Sequence, residues 1–503
     1  MRRAAASLRR GAGFGLALLS SLAACSPTVE PTRTSLRAPA PLPPRSVAFV
    51  LVDMGGGVDL TPAAARGRLL DDADSLRRHT LASSFGAQDV TGEVFGPLRW
   101  AFAAGCDTNG LANGLRAQVP GAFDHYVWYM GTRQDVCGWK ALATVGTRAA
   151  PSRDTWLDGV SSCLALTQEP QHNFGLQHAS ALVCPGAPLL ADPNGCLVVE
   201  YGDPFDPMGG GCRHPNAWEK HYRGWLSGCN GVTVNDSGSF TLLPLERRCD
   251  GAQLLRIATT RPLSINRPAG GGGPAGVDVL THYDVELRTP RDFDGDVGGA
   301  PLAPQVQIRL GAAIGPANQP GTHTYLLDMT PATPALEDAA LAEGHTFVDP
   351  AGEVRITARA VSAESATIEV VLARDTFASQ CLDGTTFQTP GRGPEACEDD
   401  VLPPIEPTTP VPDASAADGD PADVAAPDAT VDLDAEATPE PPHDAPVEVA
   451  PADAAARAPV GPPFTGGCAF AGRAPVDGEI ALLAVIACMG MLRSRRWPMR
   501  PRR

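Results

Sequence analysis

Four polar side chains within eleven residues have the types and spacing of a metal site. Residues 168–178 follow the pattern Q-E-x-x-H-x-x-G-x-x-H. On a helix, side chains four positions apart lie on one face, so Gln168 and His172 would be neighbours. Gly175 can adopt a backbone conformation closed to other residues, which would let the chain turn back and bring His178 to the same place. The spacing therefore predicts a metal site formed by Gln168, His172 and His178.

Glu169 lies beside the first predicted ligand and is placed to handle a proton. Zinc is commonly bound by imidazole nitrogens and oxygen ligands, and it lowers the pKa of a bound water from 15.7 to about 7. Glu169 could accept the proton of that water and pass it to a leaving amine. The layout is that of the long zinc-protease signature, with Gln168 in place of the first His. It predicts a Zn²⁺-dependent enzyme with Glu169 as the general base.

The stretch resembles the gametolysin family of metzincin proteases, in which Gln in place of the first His is a known form. Residues 200–209, EYGDPFDPMG, resemble the Met-turn of that family, and residues 223–226, RGWL, resemble its next short segment. The segments 137–140 and 152–157 also resemble the family. The resemblance implies a metzincin-like catalytic domain that cleaves proteins or peptides. It also implies that Met208 packs beneath the metal; ordinary core packing is the competing explanation for Met208.

Two residues of the motif leave alternatives open. Pro170 in a helix interior removes the hydrogen bond to Leu166 and costs about 3 kcal/mol. Either the helix is kinked there, or it starts late with Pro170 in its first turn, where Pro is tolerated. Gln168 either binds the metal through its amide oxygen or only forms a nearby hydrogen bond.

The acidity of the chain belongs to one segment. The 503 residues have a formal net charge of −17, and residues 393–456 contain 17 Asp or Glu and no Lys or Arg. The overall charge argues against a nucleic-acid partner. An even number of Cys in an exported chain indicates disulfides, and ten of the 13 Cys fall in the predicted folded regions, with the pairing left open: 106, 137, 163, 184, 196, 212, 229, 249, 381 and 397.

Both ends of the chain carry export features. Residues 1–25 have a charged start and a short apolar stretch, and they end in LAAC, which resembles a bacterial lipobox with Cys25 as the lipidated residue. An ordinary signal peptide that contains Cys is the alternative. At the other end, residues 464–503 hold Cys468, an apolar run and an Arg cluster. This order resembles a MYXO-CTERM-type sorting tail with Cys468 as the processing and lipidation point; a plain membrane anchor is the alternative.

The remaining segments are predicted to follow an α+β plan. Residues 26–45 are a Pro-rich tether. Residues 46–250 hold the catalytic domain, with apolar strands at 46–52 and 126–130, a helical region at 62–83 and the motif helix at 161–178. Short alternating runs across 251–390 indicate a β-sandwich domain. Residues 391–463 are too poor in apolar side chains to fold and are predicted to form a disordered acidic linker before a short C-terminal membrane segment.

Several further residues have side chains that could take part in catalysis or metal binding. His214, His221 and Tyr222 follow the Met-turn and could reach the cleft, and Tyr222 could stabilise an oxyanion. Trp218 and Trp225 are expected in the core. Residues 292–296, DFDGD, lack the Glu of a calcium loop at its twelfth position, which is Ala303, and are expected to form a polar turn.

Together these features predict an exported zinc metalloendopeptidase, held at the outer membrane or cell surface of a bacterium or released from it. The alternative is a catalytically inactive metzincin-like protein that binds or adheres at the surface. Glu169 favours the enzyme, because a binding scaffold has no use for it. Gln168 and Pro170 favour the binding protein.

Overall fold

The apolar run at residues 46–52 forms the centre of a five-stranded sheet. In a computed structural model, which describes residues 41–101, 105–131, 137–226, 228–248, 251–269 and 275–387, the strand order is β2-β1-β3-β5-β4. All neighbouring pairs are parallel except β4 with β5. The strands are β1 Arg45–Asp53, β2 Val90–Arg99, β3 His125–Tyr129, β4 Ala141–Ala143 and β5 Asp154–Leu157.

Helices cover both faces of this sheet, which explains why β1 is apolar at every position from Val47 to Val52. Val47, Phe49 and Leu51 pack in one apolar cluster, and Ala48 and Val50 pack in another. The α-helices of the described residues are α1 Pro62–Arg66, α2 Leu76–Ser83, α3 Thr108–Arg116, α4 Cys163–Asn173 and α5 Ala217–Tyr222.

The helical region expected at 62–83 is present but interrupted. A π-helical turn, Gly67–Asp71, follows α1, and the chain then leaves helical geometry before α2 begins. The Ser75 hydroxyl caps α2 by accepting a hydrogen bond from the backbone N–H of Arg78 at 3.3 Å. A new cap inside the region explains why one predicted helix is found as separate pieces.

The rest of the described chain is dominated by strands, as the alternating runs predict. The strands are β6 Ala179–Val183, β7 Leu197–Val199, β8 Gly231–Val234, β9 Gly238–Leu242, β10 Leu254–Arg267, β11 Gly276–Arg288, β12 Gln305–Gly311, β13 Thr324–Leu327, β14 Thr346–Val348, β15 Val354–Val361, β16 Ala366–Leu372 and β17 Gln380–Cys381.

These strands form two sheets with a shared core. The larger has the order β17-β8-β10-β11-β12-β13-β6-β7, and the smaller has the order β14-β15-β16-β9. Side chains of both sheets, such as Tyr283 and Phe347, belong to one apolar cluster. Backbone pairing of β13 with β6 and of β10 with β8 crosses the domain boundary predicted at residues 250 and 251. The architecture is mixed α and β, with many strands and few helices.

Three disulfides tie the described residues together, as the Cys count predicts: Cys106–Cys137, Cys163–Cys212 and Cys184–Cys196. The predicted signal peptide with Cys25, most of the tether, the acidic linker and the tail with Cys468 lie outside the described residues. Among the helices of the described part, none has the length and apolar character needed to cross a membrane.

Candidate functional site

Helix α4 carries Gln168, Glu169 and His172, and it continues past Pro170 without a break. The Ser162 hydroxyl caps it by accepting from the N–H of Ala165 at 3.4 Å, and the helix ends at Asn173. Pro170 therefore lies in the interior, and the alternative of a late helix start is wrong. Because Pro has no N–H, the carbonyl of Leu166 lacks its usual helical partner.

Gly175 makes the turn that the motif predicts. Its φ is +90°, a conformation that L side chains rarely adopt. A Cβ atom at this position would lie 2.7 Å from the carbonyl oxygen of Gly146 and 2.7 Å from the Tyr222 hydroxyl. Only glycine fits, and the chain then returns through Leu176 to His178.

The return brings the two histidines together in defined orientations. The centroids of the His172 and His178 rings lie 4.9 Å apart. Nδ1 of His172 donates to the carbonyl of Leu176 at 2.8 Å, and Nδ1 of His178 donates to Glu200 Oε1 at 2.7 Å. With Nδ1 as the donor in each contact, the neutral form of either ring has its lone pair on Nε2, which is the form that binds metals.

Burial keeps His172 neutral. Desolvation, and then repulsion from His178, lowers the pKa of His172 to about 3. The Glu200 contact was not expected from sequence, although this residue opens the segment that resembles a Met-turn. A carboxylate behind a histidine ligand is a common feature of metal sites.

Glu169 is buried beside this pair. It is 8 % exposed and precedes His172 by three positions on α4, which places both on neighbouring parts of one helix face. Burial raises the pKa of Glu169 to about 8. No hydrogen bond to the Glu169 carboxyl is found within the described residues, so it is available to a water or substrate.

Gln168 is also buried and lies one helical turn before His172. Its amide oxygen is the one predicted ligand that is not an imidazole. Among the residues that the structure describes, no group of three or more His, Cys, Asp or Glu is arranged to hold a metal ion. The predicted set of Gln168, His172 and His178 contains only two residues of those types.

Met208 is fully buried in a small core that also contains Leu176 and Trp218. Its carbonyl accepts from the N–H of Ala179 at 2.9 Å, so the turn lies directly against the residue that follows His178. Asp206 supports the turn, since its Oδ1 accepts from the N–H of Met208 at 2.7 Å. Met208 is therefore a buried core residue, and its packing beneath a metal stays a prediction.

A third histidine, His323, lies near this pair and was not expected from sequence. Its ring centroid is 5.6 Å from that of His178, and the residue is 4 % exposed. The parallel pairing of Thr324 with Ala179 places the two histidines side by side. Nδ1 of His323 has no hydrogen-bond partner within the described residues.

Three other sequence candidates, Tyr222, His214 and Trp225, are buried within the fold. Tyr222 is buried against Trp218, with ring centroids 5.5 Å apart, and its hydroxyl donates to the carbonyl of Phe174 at 3.2 Å. His214 is buried with Nδ1 3.0 Å from the Ser83 hydroxyl. Trp225 is buried, as expected for a core residue.

Residues Asp292–Asp294 form a short 3-10 turn in which Asp294 pairs with Arg288 at 2.7 Å. The segment is therefore a polar turn, as the sequence predicts.

A comparison with known protein families finds none that matches the chain, and no curated protein matches it either.

Proposed function

We propose that the protein is an exported zinc metalloendopeptidase whose site is built on α4 and the turn that follows it. The observation that carries the proposal is the pair His172 and His178, each with Nδ1–H held by an acceptor and Nε2 left with its lone pair. Glu169, buried on the same helix, supplies the carboxylate that such chemistry needs.

The donor set fits zinc in chemistry. Two neutral imidazoles and the amide oxygen of Gln168 would hold the ion, leaving room for a substrate or water as in other catalytic zinc sites. Bound zinc would supply Lewis acidity toward a water molecule and the scissile carbonyl. The Glu200 carboxylate fixes the orientation and tautomer of His178.

Glu169 moves the proton. In its buried setting a carboxyl with a pKa of about 8 holds a proton readily at neutral pH. A cation near His172 lowers that pKa, so the carboxylate can take a proton from the attacking water and return it to the leaving amine. This is the role that the sequence predicts for Glu169.

The edge of the five-stranded sheet offers a place for an extended peptide. Strand β4 is the outer strand of that sheet and pairs with β5 alone among the described strands. Its residues are half-buried, and β4 packs next to α4. A substrate strand paired with β4 would pass beside the histidines, with backbone hydrogen bonds supplying affinity.

The substrate class is protein, and the lipobox-like start and the sorting-type tail in the sequence support a location at a cell surface. The second candidate is a surface-binding protein that retains this framework without a metal. It is favoured by Gln168, because a neutral amide oxygen is a poorer zinc ligand than an imidazole nitrogen.

The test is casein hydrolysis by the full-length chain with added zinc, alongside measurement of bound zinc. Glu169→Gln removes the base at nearly constant volume, and Glu337→Gln changes an exposed carboxylate as a matched control. We expect Glu169→Gln to retain zinc and to lose a factor of about 10²–10⁴ in rate, while the control cleaves normally. Equal cleavage by Glu169→Gln would contradict the proposal. Folded protein that neither binds zinc nor cleaves casein would favour the surface-binding protein.

A further inference from the structure

Two small cavities lie beside the end of α4 and have four lining residues in common. Their volumes are about 30 and 20 Å³, and both are lined by Arg45, Gln88, Phe174 and Arg223. Arg148 lines the smaller one as well. No carboxylate from the described residues lines either cavity, although three arginines do.

The guanidinium groups gather around two aromatic rings. The Arg223 guanidinium lies 3.6 Å from the centroid of the Phe174 ring, and that of Arg45 lies 5.3 Å from the same centroid. The Arg148 guanidinium lies 4.9 Å from the centroid of the Tyr222 ring. Aromatic faces stabilise a cation but do not neutralise it, so the positive charge persists.

The hydrogen-bond partners of these arginines are neutral. Arg223 donates to the amide oxygens of Gln171 and of Gln88, the latter at 2.7 Å. Arg148 donates to the carbonyl of Gly315 at 2.7 Å. The Nε atoms of Arg45 and Arg148 are buried and have no partner within the described residues.

Among the other buried arginines of the described residues, Arg256, Arg288 and Arg309 are each paired with a carboxylate, and Arg213 donates to backbone carbonyls. Arg288, fully buried, is paired with Asp294 at 2.7 Å and with Glu286 at 3.1 Å. The acid that acts on Arg45 is Asp124, whose Oδ2 already accepts from the N–H and the hydroxyl of Ser46 at 2.8 and 2.9 Å. A buried charge without a counter-charge is costly. The cavities lack the lining carboxylates that neutralise Arg288.

The neighbouring histidine reports the same positive field. Burial, and then repulsion from Arg45, lowers the pKa of His125 to about 4, and Arg223 acts in the same direction. Repulsion from Arg45 also adds to burial in lowering the pKa of Arg223.

We propose that these cavities form a binding site for one small monovalent anion, held by Arg45, Arg148 and Arg223. Each buried water needs roughly 10–15 Å³ on this measure, so the two volumes suit a chloride ion or a single carboxylate group. The unpartnered Nε–H groups supply the missing donors, and the anion supplies the missing negative charge. The proposal does not rest on the protease activity.

An anion bound in these cavities would also affect the C-terminal end of helix α4. Arg223 contacts Gln171 and Phe174, which flank His172 in the chain. An anion that fixes Arg223 therefore also fixes the end of the helix that carries the candidate site.

The direct test is chloride-35 NMR of the full-length chain in the presence of a metal chelator. The chelator removes any zinc, so that chloride bound to zinc does not contribute to the linewidth. We expect excess chloride linewidth that saturates with concentration and is displaced by formate. Arg45→Gln and Arg148→Gln each remove one half-buried guanidinium and should abolish that excess. Arg355→Gln removes an exposed arginine on β15 and should leave it unchanged.

Formate competition separates the two sources of the shared chemistry. Displacement indicates a site open to carboxylates, and its failure indicates a site for chloride alone. Thermal unfolding gives a second readout that does not depend on the variants. Replacing gluconate by chloride at constant ionic strength should raise the Tm of the wild-type protein in a saturable way. No excess linewidth in the wild type, or the same excess in all variants, would overturn the proposal.

Discussion

Removal of the Cys163–Cys212 disulfide should cost more stability than removal of either shorter one. This bond joins the first residue of α4 to the segment just after Met208, with a sequence separation of 49 residues. Closing a loop of that length in the unfolded chain is worth about 4 kcal/mol on the chain-entropy relation. The same relation gives about 3 kcal/mol for Cys184–Cys196, whose separation is 12 residues.

The assay is urea unfolding followed by tryptophan fluorescence, with each disulfide replaced by a pair of serines. We expect the Cys163→Ser/Cys212→Ser variant to lose about 1 kcal/mol more unfolding free energy than the Cys184→Ser/Cys196→Ser variant. The latter is a matched control because all four sulfur atoms belong to buried or half-buried residues. A larger loss in the control variant would refute the reasoning from loop length.

Two further predictions concern the candidate site in chelator-treated protein. Burial raises the pKa of Glu169 from 4.5 to about 8. Between these two pH values the folded wild type binds more protons than the unfolded chain. The free energy of unfolding therefore falls as the pH rises from 4.5 to 8, by up to about 1.4 kcal/mol per pH unit. Glu169→Gln should flatten this slope in urea titrations between pH 5 and 8, and equal slopes would count against a buried carboxyl. Gly175→Ala should cost more than about 2 kcal/mol, because it adds a close backbone contact to the strain of a positive φ. Gly186→Ala has the strain without the contact and should cost about 1 kcal/mol in the same urea assay; equal losses would refute the steric argument.

The local elements of this protein could be predicted from sequence because each is set by neighbouring residues. The apolar run of β1 predicts a strand covered on both faces, and it is buried from Val47 to Val52. The glycine of the motif predicts the turn after α4, and Gly175 has the positive φ that the turn requires. Local spacing also predicts that His172 and His178 approach each other.

Pro170 shows the limit of local rules. Its chemistry alone allowed either a kinked or a late-starting helix. The structure keeps α4 continuous from Cys163, which is linked to Cys212 and lies in a buried environment. Tertiary packing offset the local cost of Pro170.

The partners of the site were decided only by the tertiary structure. Glu200 meets Nδ1 of His178, and His323 lies beside the same ring because β13 pairs with β6 in parallel register. No motif in the sequence relates these residues to His178, since Glu200 lies 22 positions further along the chain and His323 precedes the distant strand β13.

The arginines around Phe174 make the same point. Arg45 begins β1, Arg148 lies between β4 and β5, and Arg223 follows α5, so the sequence shows three ordinary basic residues. Their convergence depends on how the sheet, α4 and α5 pack. The sequence by itself therefore determined the elements and the histidine motif, whose causes are local. The tertiary fold decided the contacts of Glu200 and His323 with His178 and the anion cavities, because long-range strand pairing and packing bring distant residues together.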